Sequence, residues 1–397
     1  MSRPNQFLSP EGDLEDYFVD EYWLIDQWVG DTLLSWGFNG NGFLGDNTII
    51  SRSTPVTTFA GGTNWKQVAC GSRHTAAIKT DGTLWTWGGN SVVGNNTSDI
   101  NNRVTPITTF AGGTNWKQVS CGHNHSAAIK TDGTLWAWGS GGNGELGNNQ
   151  GTISARSTPV TTFAGGTNWK QVACGNGFTA AIKTDGTLWT WGVNNNGQLG
   201  DNTVIQRNTP VTTFSGGTNW IQVDCARVIG THVAAIKGDG TLWTWGRSNV
   251  GQVGDNTIIN RSTPVTTFVG GNNWKQVSCG QFNTAAIKTN GTLWTWGGGG
   301  VIGDNTIIAR STPVTTFAGG TNWKQVSFGE SHIAAIKTDG TLWTWGNNGV
   351  GRLGDNTAIY KSIPSTTFAG GSNWKQVSSA YHTVAVTSGT DPTFFIS

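Results

Sequence analysis

At 397 residues the chain is longer than most single cores, and its 59 glycines and 22 tryptophans, against one methionine and 12% charged residues, favour turns and strands over helices. The formal net charge is +1 with the bases scattered singly, which excludes the massed positive footprint of a nucleic-acid binder, so no nucleic acid is expected as a partner. No run approaches the roughly 18 apolar residues of a membrane span, and the opening segment lacks the basic-then-apolar pattern of a signal peptide.

The charge is uneven along the chain. Residues 1–31 hold one base, Arg3, against eight acids, a local net of −7 that leaves +8 for the remainder. Residues 9–29 predict a helix, with Ser9 as N-cap, Pro10 in the first turn, early acids, and apolar Leu14, Phe18, Tyr22, Ile25 and Val29 spaced by three and four. Gly12 weakens its first turn. Two placements satisfy the aromatic stripe: the helix folds back over one face of the body, or it docks into another subunit. The docking reading takes Leu14, Tyr17, Phe18, Tyr22, Trp23, Ile25 and Trp28 as partner-docking residues and divides the chain into an arm, 1–30, and a body, 31–397.

The body is repetitive. The segment GTNWKQV or a close variant returns seven times, its tryptophan at Trp65, Trp116, Trp169, Trp220, Trp274, Trp323 and Trp374, with spacings of 51, 53, 51, 54, 49 and 51. A second signature, LWTWG or a close variant, ends at Trp87, Trp138, Trp191, Trp245, Trp296 and Trp345, and a seventh copy, LLSWG, sits in front at Trp36. One unit reads as four strands, at 54–59, 64–70, 74–79 and 83–87, rich in Val, Thr, Ile, Phe and Trp. Asp-Gly or Asn-Gly before the fourth marks a hairpin whose central residues take positive φ. Trp85 and Trp87 share one face of their strand and Leu84 and Thr86 the other, so both faces are apolar enough to be covered by neighbours. Trp65, Trp85, Trp87, Trp116, Trp136, Trp138, Trp169, Trp189 and Trp191 are the expected packing between units.

The last unit stops after HTVAV without its WG strand, and the front copy DTLLSWG supplies it, pairing Leu33, Leu34 and Trp36 with Val384 and Val386 to seal both open edges. The expected fold is therefore all-β: a seven-bladed propeller of four-stranded blades, closed by pairing of the N-terminal and C-terminal strands, with a short helical arm. Cys70, Cys121, Cys174, Cys225 and Cys279 recur at one register, which reads as duplication rather than a disulfide framework and suits a reducing compartment.

Trp191-Gly192, Gly197-Gln198-Leu199-Gly200, Pro210 and the stretch Gly71 to Thr75 resemble the regulator of chromosome condensation repeat family. That resemblance implies the propeller fold over 31–397 and leaves function open, because propellers host unrelated roles. The acidic aromatic arm resembles those ahead of this repeat on virion structural proteins of tailed bacteriophages, which implies synthesis in the cytoplasm and incorporation into a virion.

Five units place a histidine at the start of the third strand: His74, His125, His232, His332 and His382, with Phe178 and Asn283 in the other two. A metal ring is not expected with phenylalanine in the set, and the histidines are read as bonding to neighbouring backbone. Asp46, Asp201, Asp255, Asp304 and Asp355 each precede a base by six residues, and a base stands there in every unit: Arg52, Arg103, Arg156, Arg207, Arg261, Arg310 and Lys361. They read as local ion pairs or as a cationic ring for an anionic partner. No nucleophile, phosphate-loop or zinc motif is present, so no enzyme activity, cofactor or metal is expected. The segments after WG and after Cys-Gly vary among units and are the candidate recognition surface. Three functions remain: a non-catalytic assembly or recognition protein contacting other subunits or a host surface protein or glycan, a nucleotide exchange factor for a small GTPase, and a carbohydrate-binding propeller.

Overall fold

Strands rich in Val, Thr and Trp, separated by glycine turns, build seven antiparallel sheets of four strands each in the computed structural model, which describes residues 31–89, 92–96, 101–150 and 155–389. The chain enters with β1 (Asp31–Gly37) and β2 (Arg52–Thr57). The first complete blade follows as β3 (Trp65–Cys70), β4 (His74–Lys79), β5 (Leu84–Gly88) and β6 (Arg103–Thr108), paired in that order from the axis outward. Strands β7 to β26 repeat it as blades two to six over residues 116–161, 169–212, 220–266, 274–315 and 323–366, and the chain ends with β27 (Trp374–Ser379) and β28 (His382–Ser388). Innermost strands of successive blades touch all the way round, β27 meeting β3, so the circle is closed.

Blade seven has the order β2-β1-β28-β27, with Leu33 opposite Val386, Ser35 opposite Val384 and Trp36 opposite Thr383. Two strands from each chain end therefore make it. This corrects the phase of the unit read above: the strand placed at 54–59 runs instead over Arg52–Thr57 and pairs with β1, not with the strand that follows it in sequence. Phe59 has already left the ladder, its N–H bonding to the Gly45 carbonyl at 2.8 Å. A period fixes the length of a unit but not where a blade begins, because any cyclic shift of the same four segments repeats equally well.

The Asp-Gly hairpins are also corrected in type. Gly82 has φ +79° while Asp81 is not left-handed, and the Gly82 N–H bonds to the Lys79 carbonyl at 2.9 Å. This is a type I turn followed by a left-handed glycine, the geometry of a three-residue loop, and not the two-residue turn with both central residues at positive φ.

Packing between blades is the core. Trp65 and Trp87, both 0% exposed, face Leu33, Val384 and Val386 of blade seven, while Ile78 and Leu84 on the opposite face of their sheet meet Trp116 and Trp138 of blade two. Each blade thus presents tryptophans to the blade before it and aliphatic side chains to the blade after. Trp65 and Trp87 meet edge-on, centroids 6.4 Å apart, a favoured arrangement for aromatic pairs. At about 25 cal/mol per Å2 and about 150–250 Å2 per ring, each contributes about 4–6 kcal/mol as an upper bound. Gly354, at φ +64°, shows the closeness required: a Cβ there would stand 2.7 Å from Nε1 of Trp36. The helix expected at 9–29 and the docking residues from Leu14 to Trp28 lie outside the described residues.

Candidate functional site

Two layers of side chains tie each blade to the next and fix the shape of the axis. In the first, a glutamine on each innermost strand acts like a piece of backbone: Gln67 Nε2 donates to the Val119 carbonyl at 3.1 Å, and the Val119 N–H donates back to Gln67 Oε1 at 3.1 Å. The same exchange runs through Gln118, Gln171, Gln222, Gln276 and Gln325, and Gln376 closes the circle by accepting from Val68 N–H at 3.1 Å. Each bond of this kind contributes about 1 kcal/mol net.

The second layer is histidine. His382 Nε2 lies 2.6 Å from Thr75 Oγ1 of the next blade, and that hydroxyl donates at 2.8 Å to the Phe43 carbonyl, which also accepts from Trp87 Nε1 at 2.8 Å. Because the threonine proton is committed to the carbonyl, the imidazole is the donor through Nε2. His74, His125, His232 and His332 likewise reach Ser126, Thr179, Thr284 and Thr383. The partner is thus a side-chain hydroxyl of the following blade, not the neighbouring backbone expected from sequence. Where the histidine is replaced, so is its acceptor: Phe178 precedes Val233, and Asn283 precedes Ile333. Burial holds His74, His125 and His382 down to about 3 and His232 to about 4, so all four are neutral near pH 7.

The Asp and Arg positions form a clamp within each long loop. Asp46 pairs with Arg52 at 3.0 Å and accepts from Thr48 through both N–H and hydroxyl at 3.1 and 2.7 Å. Although burial opposes it, bonds from Thr48 and Arg52 hold this carboxyl below its ordinary value. Asp201–Arg207, Asp255–Arg261, Asp304–Arg310 and Asp355–Lys361 repeat the pair, while Arg156 bonds to Gln150. Those five bases face their own loop's carboxylate, which removes the basis for a free cationic ring. Among the described residues, no three His, Cys, Asp or Glu side chains gather as a metal site. The five cysteines are free and buried, with burial pushing Cys70 and Cys121 up to about 12, so they are poor nucleophiles.

The two faces of the ring differ. On one, six hairpins repeat nearly unchanged, each with a lysine over two indoles, as Lys79 lies 4.7 Å from Trp65 and 4.5 Å from Trp85. Phe59, Phe110, Phe163, Phe214, Phe268, Phe317 and Phe368, all at least 59% exposed, follow the outermost strands at the same end. On the other face, the connections between first and second strands carry Ser72-Arg73, His123-Asn124, Asn176-Gly177, Gln281-Phe282, Glu330-Ser331 and Tyr381. Inter-blade backbone bonds hold them in place, such as Ser72 N–H to Gly122 O at 3.1 Å and Glu330 N–H to Ala380 O at 2.9 Å. Arg352 pairs with Glu330 at 2.9 Å and donates to the Tyr381 carbonyl, and the Arg247 guanidinium lies 5.4 Å from the Phe282 ring.

Along the axis runs a cavity of about 220 Å3, lined by the seven glutamines and by Ala69, Ser120, Ala173, Asp224, Ser278, Ser327 and Ser378. It closes at the variable face, where the long loop 226–231 of blade four brings in Arg227, paired with Asp224 at 2.7 Å. The axial cavity is not among the sites expected from the sequence. The signal available was a glutamine kept at one strand position in all seven units.

In blade seven Leu33 lies opposite Val386 and packs with it and Val384 toward blade one. Leu34 and Trp36 instead lie opposite Ala385 and Thr383 and face blade six, so the expected pairing of these two with the valines is corrected to backbone pairing within the same two strands. Trp65, Trp87, Trp116, Trp138, Trp169 and Trp191 are buried between blades, and Trp85, Trp136 and Trp189 are partly buried beside them. These residues build the ring and none lines the variable face.

The RCC1-like domain model matches residues 28–300, and regulator of chromosome condensation (RCC1) repeat models match residues 323–352 and 339–386. The ultraviolet-B receptor UVR8 of Arabidopsis thaliana is 32% identical over 285 residues, covering 68% of this chain and 61% of that protein. The E3 ubiquitin-protein ligase HERC2 of Homo sapiens is 27% identical over 269 residues, 66% of this chain and 5% of its own length. The chain therefore spans about three fifths of the first relative and a small part of the second. In fold it is similar to human WBSCR16, with TM-score 0.77, 22% identity, and coverage of 92% of this chain and 100% of the other. It is also similar to Prp20p from Saccharomyces cerevisiae, a protein studied for binding Gsp1p and histones, with TM-score 0.76, 18% identity, and coverage of 94% and 95%.

Proposed function

We propose, from the fact that this chain belongs to the RCC1-like domain family, that it is a non-catalytic recognition module whose variable face binds another protein. The observation behind this reading is the contrast between faces: one scaffold repeats its hairpins almost unchanged on one side and changes residue type and loop length blade by blade on the other. Arg73, Phe282 and Tyr381 stand at that rim, and arginine and aromatic side chains are the residue types that anchor protein interfaces. The setting we propose is a tailed-bacteriophage virion, in which the arm at 1–30 docks to a neighbouring subunit through Leu14, Tyr17, Phe18, Tyr22, Trp23, Ile25 and Trp28. The acidic charge and aromatic content of the arm support this setting.

Arg73→Ala and Tyr381→Ala are each expected to weaken partner binding by about 2 kcal/mol or more, measured by capture with the tagged chain followed by calorimetry on the purified partner. Asp81→Ser with Asp132→Ser on the hairpin face should leave it unchanged. Binding that survives the first pair and is lost with the second would reverse the assignment of faces. A chain beginning at residue 31 should still fold and bind through its loops but fail to enter the particle, and normal incorporation would refute the arm's role. The exchange-factor reading predicts faster nucleotide release from a small GTPase, and the glycan reading predicts a hit on a glycan array that the loop variants abolish.

A further inference from the structure

The axial cavity is a blind funnel. At its open end the glutamines are half-buried, while the next layer, from Ala69 to Ser378, is at most 9% exposed. The floor is made by one blade alone. Residues 226–231 reach across the axis, where the Arg227 carbonyl accepts from Ser72 Oγ of blade one at 3.0 Å and Val228 is 1% exposed. The guanidinium therefore sits at the bottom of a pit whose walls come from all seven blades.

The hydrogen-bond inventory of this pit is unbalanced. Ser120, Ser278, Ser327 and Ser378 each accept a backbone N–H from the next blade, at 3.0, 3.0, 2.9 and 2.9 Å. Their own hydroxyl protons have no acceptor among the described residues. Arg227 Nε is buried without a partner. The one carboxylate present is already engaged on both oxygens, Oδ1 by Arg227 Nη2 at 2.7 Å and Oδ2 by the Cys279 N–H at 2.8 Å. Each glutamine amide has committed one N–H to a valine carbonyl and retains a second. Donors are left over and acceptors are not. A metal cation would meet a guanidinium and hydroxyl protons, whereas an oxygen-rich anion would satisfy both.

We propose that the axial funnel is a binding site for a small oxyanion, a phosphate or a carboxylate, held by Arg227 Nε and the hydroxyls of Ser120, Ser278, Ser327 and Ser378. Asp224 orients the guanidinium and tempers the affinity, since its charge opposes the incoming anion. The site is independent of the variable face, because the funnel opens on the opposite side of the ring.

Calorimetric titration of the full chain with inorganic phosphate and, separately, sodium acetate, each against sodium chloride at matched ionic strength, tests this. Saturable binding of one or both is expected, and which of them binds identifies the anion class. Arg227→Met should weaken binding about tenfold or more, as loss of a charge-assisted bond requires, and Asp224→Asn should tighten it. Because Arg227→Met leaves Asp224 buried alone and risks the fold, the double variant Asp224→Asn with Arg227→Met removes both charges and should show the same loss. Absence of saturable binding by either anion, unchanged affinity in the double variant, or weaker binding in Asp224→Asn would overturn the proposal.

Discussion

Truncation at residue 38, which removes β1, is expected to abolish the cooperative unfolding transition that a chain starting at residue 31 retains. β2 pairs only with β1, so losing one strand strips two from blade seven and leaves β28 as an open edge. The same loss removes Trp36, Leu33 and Leu34, exposed by 0%, 1% and 4%, and the bond from Trp36 Nε1 to the Arg352 carbonyl at 2.9 Å. The point variant Trp36→Ala isolates the packing share and should cost about 3–5 kcal/mol, much of the roughly 5–15 kcal/mol that stabilises a typical domain. Trp87→Ala, the equivalent in blade one, should cost a similar amount. Urea unfolding followed by tryptophan fluorescence reads both. A truncated chain that melts like the full one would show that the circle is not sealed by its ends.

Acid should unfold the protein well before its carboxylates titrate. His74, His125, His232, His332 and His382 are 0% exposed and their Nδ1 atoms have no partner, so protonation would bury an unsatisfied charge in each bridge. Burial lowers their affinity for protons from the ordinary 6.5 to about 3 for His74, His125 and His382 and about 4 for His232. For His332 it lowers it well below 6.5, helped by Arg352 and His382. Between these values the unfolded chain binds up to five more protons than the folded one. The histidine contribution is therefore complete above pH 6.5 and is lost as pH falls toward about 3. At about 1.4 kcal/mol per proton per pH unit, five sites give a slope approaching about 7 kcal/mol per unit in the middle of the window. Denaturation midpoints measured from pH 7.5 to 4.5 should fall steeply, and His74→Gln with His382→Gln should flatten the curve. A midpoint constant over that range would show that the imidazoles are not buried neutral.

The order of strands was legible because the sequence repeats itself, and repetition is a strong signal for strand, turn and count alike. Its phase was not legible, as β2 shows: Arg52–Thr57 leaves one blade's third strand and completes that blade, while the eye groups it with the tryptophan segment that follows. Hairpin type escaped for a local reason, since Asp81-Gly82 looks like a two-residue turn until Thr80 is counted inside the loop. The histidine bridges were readable in retrospect from paired replacement, His with Ser or Thr one unit later and Phe178 or Asn283 with Val233 or Ile333. A contact between units must be sought across the repeat and not within it. The axial cavity is hardest of all, because each wall residue comes from a different blade and looks ordinary in its own strand. Two signs mark the place: the glutamine kept at one strand position in all seven units, and Arg227 in a loop longer than its six counterparts.

Hydrogen exchange by mass spectrometry on the closing blade is the most direct test of the architecture on which both proposed sites depend. Amides of Asp31–Gly37 should exchange as slowly as those of Leu84–Gly88 and should open together with His382–Ser388, as one sheet drawn from both ends of the chain. Rapid exchange at Asp31–Gly37 with Leu84–Gly88 still protected would mean an open array of blades, with neither a fixed axis nor a continuous variable rim.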